Sequence, residues 1–350
     1  MPISRRFFLR DGAQAVAAAS LLGSAALSGC ASTSSAGKTA ASADGAVKAA
    51  VRSVSARDLR VVDVKGLALV QGAGANVVAL GGPEGALMVD GGLAANSAVL
   101  LKAIHGALGT SRVNTLVNTH WHPEQTGSNE AVGREGGTII AHEVSRIALG
   151  HALGNRSALY EGVYGPLAKE GVPTVTTYNK GALQFAGEQV DYRYLPGAHT
   201  NGDLMVHFPK RNVLVVGGPV GSDRWPVIDY LNGGFMHGFV RTYDILTGIV
   251  KPDTIVIPAD GPVLTGADVV RHKDVYWELF KQFFVLFNKG FGPKDVAEYN
   301  AGKEFMGVGQ VIVDRPLNRE PGAGMVRQLG DPAKFLEYAY RSTQLATLPH

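Results

Sequence analysis

A chain of 350 residues with 45% hydrophobic and 18% charged side chains has the composition of a folded protein and the length for one large domain, which excludes a disordered or fibrous class. The formal net charge is +3. Without Arg5, Arg6, Arg10 and Asp11 of the N-terminal segment, 30 basic residues face 29 acidic ones, so no nucleic-acid surface is expected.

The first 30 residues read as an address. Ser4-Arg5-Arg6-Phe7-Phe8-Leu9-Arg10, followed by an alanine- and leucine-rich run to Leu27, has the order of a twin-arginine export signal. Leu27-Ser28-Gly29-Cys30 resembles a lipobox, which makes Cys30, the single cysteine, the lipidated first residue of the mature chain. The same residues leave two plainer readings open, a small buried thiol and an uncleaved membrane anchor. With no second cysteine the mature domain forms no internal disulfide, and its stability rests on packing and on any metal it binds. Alanine at position 31 leans toward the outer membrane. The expected location is therefore periplasmic, with membrane attachment through lipid on Cys30. Residues 31–55 are small and polar, a flexible tether whose first 20 residues would reach about 25 Å.

From Asp58 onward the chain alternates short β-type runs with glycine-rich turns. Strands are predicted at Arg60 to Val64, Gly66 to Gln71, Asn76 to Leu80 and Ala86 to Val89. Leu93 to Leu108 places Ala94, Ala98, Leu101, Ile104 and Leu108 at helical spacing. A strand at Val113 to Asn118 leads into a histidine-bearing loop. Further strands are predicted at Thr138 to Ala141, Val175 to Tyr178, Gln189 to Leu195, Leu204 to Phe208, Val213 to Val216 and Thr254 to Ile257. Helices are predicted from Glu143, from Met236 to Ile249 and from Gly266 to Asn288, with a terminal helix near Phe335 to Thr343 and a loop at Pro316 to Gly324. This order suggests two β-rich halves, each covered by helices on its outer face. The domain is expected over 56–290, with residues 291–350 an extension packing on it.

The chemistry concentrates in Thr119-His120-Trp121-His122-Pro123-Glu124-Gln125-Thr126-Gly127. Side chains at i and i+2 of an extended segment point the same way, so His120 and His122 can converge on one ion. Pro123 supports that geometry by holding His122 in extended backbone conformations. A third imidazole, His199 in Gly197-Ala198-His199-Thr200-Asn201-Gly202-Asp203, could complete the set. Each histidine alone reads as an ordinary core or surface residue; the three together point to a shared metal.

These residues resemble the metallo-β-lactamase superfamily, whose signature H-x-H-x-D-H is followed by a lone His, a Gly-Asp and a late Gly-His-Gly. The resemblance spans about residues 57 to 290 and implies a four-layer αββα sandwich. It assigns His120, His122 and His199 to the first zinc site. At the second site Glu124 replaces the aspartate, Gln125 the next histidine, Gly218 the Gly-Asp aspartate and Asp260 the last histidine. The expected cofactor is one zinc ion; the alternative adds a second, hard cation held by Glu124, Gln125 and Asp260. Three neutral imidazoles leave zinc's charge uncompensated and one position open, so the pKa of bound water falls to about 7.

Two roles are open to Glu124, general base and hydrogen-bond partner behind the metal. Asp260 is a candidate carboxylate of the pocket or a turn residue before Gly261. Asp90 and Asp203 are expected to orient histidines or fix loops. Trp121, Trp225 and Tyr230 are candidate pocket walls, with ordinary loop packing as the alternative. Phosphodiester cleavage relies on two metals, so its loss here favours an easier leaving group. The expectation is a zinc-dependent hydrolase of a small molecule with an ester, lactone or thioester bond. The competing reading is a surface-anchored binding protein of the same fold without turnover.

Overall fold

The strand sequences explain how four layers stack. In a sheet covered on both faces, successive side chains enter different cores, so a strand reads as an unbroken apolar run. Val77 to Leu80 and Ala86 to Val89 are such runs, and every residue in both is buried. Val78, Leu80, Leu87 and Val89 point into one cluster, while Val77, Ala79, Ala86 and Met88 point into another. This computed structural model describes residues 53–157, 159, 162–222, 225–293, 295–296 and 332–347.

The first sheet has seven strands in the order β1 to β7: β1 Arg60–Val64, β2 Leu67–Gln71, β3 Val77–Gly82, β4 Gly85–Val89, β5 Val113–Val117, β6 Thr138–His142 and β7 Val175–Thr177. Strands β1 to β4 run antiparallel and β4 to β7 parallel. The parallel steps are made through α1 (Ser97–Leu108), the short α2 (Pro123–Thr126) with α3 (Asn129–Arg134), and α4 (Glu143–Gly150). The second sheet has six strands in the order β13-β12-β11-β10-β9-β8. They are β8 Lys180–Phe185, β9 Glu188–Tyr194, β10 Leu204–Phe208, β11 Val213–Gly217, β12 Ile255–Pro258 and β13 Leu264–Thr265. Helix α5 (Met236–Thr247) connects β11 to β12, and α6 (Gly266–Asn288) and α7 (Pro332–Thr347) come after β13.

Three clusters show where the layers meet. Val78, Leu80, Val117 and Ile140 of the first sheet face Val190, Val206, Val215 and Ile257 of the second. Leu100 and Ile104 of α1 cover the opposite face of the first sheet beside Met88 and Leu116. On the far face of the second sheet, Met205, Leu214 and Val256 pack with Phe239 and Tyr243 of α5, Tyr276 and Phe283 of α6, and Phe335 and Tyr340 of α7. The result is the αββα order. Each fully buried Leu, Val or Phe in these layers contributes about 1.5–3 kcal/mol by leaving water.

Most predicted elements are present within a residue or two. Strand β13 and helices α2 and α3 are too short to show in the pattern, and three further differences have physical reasons. Strand β8 was not anticipated because its residues alternate exposed and half-buried at the edge of the second sheet, giving no apolar run. It is joined to β9 by Ala186 and Gly187, both at positive φ (49° and 74°), the combination a two-residue hairpin turn requires. The helix predicted from Leu93 starts later: Ala94–Asn96 forms a 3-10 turn, held where the buried Asn96 side chain donates to the Ala73 carbonyl at 3.1 Å. The terminal helix is longer than predicted and is fastened to the domain. The Met236 amide donates to Ser342 Oγ at 3.0 Å and the Tyr340 hydroxyl to the Phe291 carbonyl at 2.6 Å. Cys30 and the Pro316 to Gly324 segment lie outside the described residues.

Candidate metal centre

The site gathers at the carboxyl ends of strands from both sheets, where an open α/β sheet offers its crevice. Strand β4 leads to Asp90, β5 to His120, β11 to Gly218 and β12 to Asp260. The β9–β10 connection carries His199. Backbone hydrogen bonds tie these ends together: Leu204 N–H donates to the Thr119 carbonyl at 2.7 Å, and Ala259 N–H to the Gly217 carbonyl at 3.0 Å.

His122 adopts extended backbone angles, φ −64° and ψ 156°, with Pro123 opening α2, the conformation expected of a residue before proline. The loop is fixed from inside by Asn118, whose side-chain amide donates to the Gln125 carbonyl at 3.0 Å. His120 and His122 therefore project together. His199 is placed by Asp203, which accepts from the His199 amide at 2.8 Å, from the Thr200 amide at 3.0 Å and from the Thr200 hydroxyl at 2.6 Å.

His199 Nε2 lies 3.1 Å from His120 Nε2 and 2.9 Å from His122 Nδ1. The three rings meet nearly at right angles, 83–84° between planes. All three are buried. Among the described residues they form the one group of at least three His, Cys, Asp or Glu side chains able to share an ion.

The outer nitrogen of each ring decides what the inner one can be. His122 Nε2 faces Asp229 Oδ2 at 3.0 Å and His199 Nδ1 faces the Val227 carbonyl at 2.7 Å; both partners accept, so both ring nitrogens donate. His120 Nδ1 faces Thr119 Oγ1 at 3.1 Å, and that hydroxyl already donates to Asp90 Oδ2 at 2.8 Å, so Nδ1 donates here too. Three inner lone pairs are left converging with no proton between them. Burial holds the His120 imidazole well below its usual pKa, helped by His199 and His122, and brings His199 down to about 3. Neutral imidazoles around a shared point are the donor set of a tetrahedral metal site with an open position. Ligation at about 2.0 Å needs donors about 3.3 Å apart, and the two distances through His199 lie within a few tenths of an ångström of that.

The supporting carboxylates are buried as well. Asp90, at positive φ of 64°, accepts the Thr119 amide at 2.7 Å and its hydroxyl. Burial pushes its carboxyl up to about 8 against those hydrogen bonds, and pushes Asp203 up to about 7 against its own. Asp229 is a site residue to which the sequence assigns no role. It is fully buried, and one of its oxygens receives His122 Nε2, Ser157 Oγ at 2.7 Å and Asn232 Nδ2 at 2.8 Å. The 107 positions between it and His122 leave no local pattern to find it by.

The three histidines open on a cleft of about 550 Å³. Glu124, Gln125, Gly218 and Asp260 also line it, with Leu159, Val220, Trp225, Pro226 and Val227 as apolar walls. Trp225 is 5% exposed and stacked on Phe335 of α7 with ring centroids 4.6 Å apart. Trp121 and Tyr230 do not line the cleft. Trp121 is buried against Leu149 and Tyr164, its ring edge-on to His122 at 4.6 Å, and Tyr230 packs on Tyr338 of α7 at 5.3 Å. Glu124 is 4% exposed.

Gly218 is more than a missing ligand. A Cβ there would stand 2.2 Å from His199 Cδ2 and 2.7 Å from its Nε2. The His199 ring fills the space a side chain at 218 would need.

The metallo-β-lactamase superfamily profile matches residues 70–276, and the chain belongs to that superfamily. Solved structures share the fold at low identity. A stereoselective inverting sec-alkylsulfatase from Pseudomonas sp. is 14% identical with a TM-score of 0.56, covering 81% of this chain and 50% of its own. The DIM-1 metallo-β-lactamase exposed to ceftazidime is 19% identical at TM-score 0.50, covering 63% of this chain and 97% of its own. A metallo-β-lactamase from Pontibacter korlensis is 19% identical at TM-score 0.49, covering 63% and 93%. A search of curated proteins found no match.

Proposed function

We propose that this protein is a hydrolase that holds a single zinc ion on His120, His122 and His199 and cleaves an ester, lactone or thioester of a small molecule. The observation that carries the reading is the convergence of three unprotonated ring nitrogens, 2.9 and 3.1 Å apart through His199, at the floor of an open cleft. When bound, zinc supplies a Lewis acid and brings hydroxide within reach at neutral pH. The chain supplies the rest. Asp229, the Val227 carbonyl and Thr119 keep the outer ring protons in place, so each inner nitrogen remains a donor. Glu124, buried in the cleft lining, is the carboxylate to which we assign acceptance of the proton from the attacking water. Asp260 faces the same cleft and is assigned to the substrate side. Leu159, Val220 and Trp225 exclude water from that side and hold the apolar part of the acyl compound.

The single-ion reading follows from Gly218, where the second-site carboxylate has no room. The same observation keeps the binding-protein alternative in play, and one set of measurements separates them. Purified full-length protein is assayed for metal and tested on chromogenic esters, thioesters and lactones with and without chelator. About one zinc per chain and chelator-sensitive turnover are expected. A full zinc complement with no turnover on any panel member favours the binding protein, and absence of stoichiometric zinc ends the hydrolase proposal.

We also propose export and anchoring through lipid on Cys30. Replacing Cys30 with Ala should release the protein from the membrane fraction; retention at unchanged size defeats the anchor.

A further inference from the structure

Among the described residues, the Trp and Phe side chains that remain in solvent are gathered on one helix. Among the described residues the exposed Trp and Phe side chains are Trp277, Phe284 and Phe287, at 47%, 38% and 39%, all on α6, and Val270 and Val285 add 48% and 52%. At 100° per residue, Val270, Trp277 and Phe284 line up seven apart, with Phe280 and Phe287 beside them on the same outer face. The half-buried Phe280 ring joins the row, 6.1 Å from Trp277 and 5.0 Å from Phe284. The inner face is spent on the core through Tyr276, Leu279, Phe283 and Leu286. A continuous exposed aromatic row of this kind marks an interaction surface.

We propose that the outer face of α6 rests on a lipid bilayer, as a second, reversible contact beside the N-terminal anchor. No described helix is long and apolar enough to cross a membrane, so the contact is with the surface. Two observations choose lipid over a second copy of the chain. Lys273, Asp274, Glu278, Lys281 and Lys289 are interleaved with the aromatic row, and charged side chains are depleted from the centre of protein interfaces but accompany Trp and Phe on helices that lie in the headgroup region. Taken as the flexible tether its composition suggests, the chain between Cys30 and the first described residue, Ser53, would reach about 25 Å. A bilayer held that close meets the domain at high effective concentration, where a weak apolar contact is occupied. The reach argument rests on the anchor reading; the face does not.

The protein reports on this contact itself, because two of its three tryptophans, Trp121 and Trp225, are 1% and 5% exposed. The full chain is mixed with vesicles of phosphatidylethanolamine and phosphatidylglycerol whose acyl chains carry bromine. Tryptophan emission should be quenched relative to plain vesicles, and the quenching should vanish in Trp277→Phe, which keeps the apolar face. Phe284→Ser with Phe287→Ser should weaken vesicle affinity about tenfold or more, with the near-UV dichroism of the core unchanged. Equal emission in brominated and plain vesicles overturns the proposal. So does a sedimenting dimer whose Trp277 is shielded from acrylamide before lipid is added. A mature protein whose mass shows no acyl chains on Cys30 defeats the anchor alone, and the quenching still decides the face.

Discussion

The two walls of the cleft are built on opposite terms. On the triad side every ring nitrogen that faces outward has a buried acceptor, and the carboxylates behind the rings are themselves hydrogen-bonded: Asp90 to Thr119, Asp203 to His199 and Thr200, Asp229 to Ser157 and Asn232. The rest of the lining, Gly218, Val220, Trp225 and Val227 with Asp260, is a surface of small and apolar groups. Such a division suits one ion held with high order against a wall that recognises shape. The difference teaches that position 218 is closed to a carboxylate by packing as well as by residue identity, because His199 occupies the volume beside Gly218.

The largest effect should come from breaking the triad side. His122→Ala removes one of the three donors and leaves Asp229 with one hydrogen-bond partner fewer. We expect zinc content to fall from about one per chain to near zero, and kcat/KM on the best panel substrate to drop on the order of a thousandfold or more, about 4 kcal/mol of transition-state stabilisation. Elemental analysis and steady-state kinetics on one preparation test this. Unchanged zinc would mean the metal lies elsewhere.

Gly218→Asp sharpens the comparison from the other wall. If the loss were one of ligand identity alone, restoring the carboxylate would raise the metal count toward two. The Cβ contact of 2.2 Å with His199 gives the opposite expectation, because real Cβ atoms do not sit that close and a buried ring has little room to yield. Zinc per chain should fall below that of the parent, and Gly218→Ala should lower it as well. Two equivalents in the aspartate variant would show that the ring moves aside and that the site is one substitution from a pair.

The same contrast explains what could be read from the sequence. His120 and His122 were legible because alternation in an extended segment is a local rule, and Pro123 fixes it. His199 needed its Thr200 and Asp203 context, again local, and the structure uses those residues as the clamp. The strands of both sheets were visible because covering a sheet on each face demands apolar runs, whereas the edge strand β8 had no such demand. Asp229 and Ser157 escaped because their partnership is tertiary: 107 and 72 positions separate Asp229 from His122 and from Ser157. Trp121 and Tyr230 were candidate walls on their aromatic character, yet ring type alone does not say which way a side chain turns. Trp121 braces His122 from behind, and Tyr230 meets α7.

Asp229→Asn tests how far the triad side depends on this undetected residue. The amide keeps the size and can still accept at one oxygen, so the fold should survive. What changes is the charge behind His122 Nε2. Ligating imidazoles lose 10–100-fold in metal affinity when such a partner is altered, and a loss in that range is expected from competition with a chromophoric chelator. An unchanged affinity would reduce Asp229 to a packing role.

The smallest effect should come one layer further out. Ser157→Ala deletes the 2.7 Å hydrogen bond to Asp229 Oδ2 while Asn232 and His122 continue to hold the same oxygen. Removing one donor among three costs about 1 kcal/mol, so zinc affinity should weaken about fivefold, less than for Asp229→Asn. The double variant decides whether the two act in series. If Ser157 works only by orienting Asp229, combining the substitutions should add almost nothing to Asp229→Asn alone. A full additive loss would mean that Ser157 supports the site by a separate route, through the backbone of Leu159, whose amide donates to Ser157 Oγ at 3.1 Å and whose side chain stands in the cleft wall.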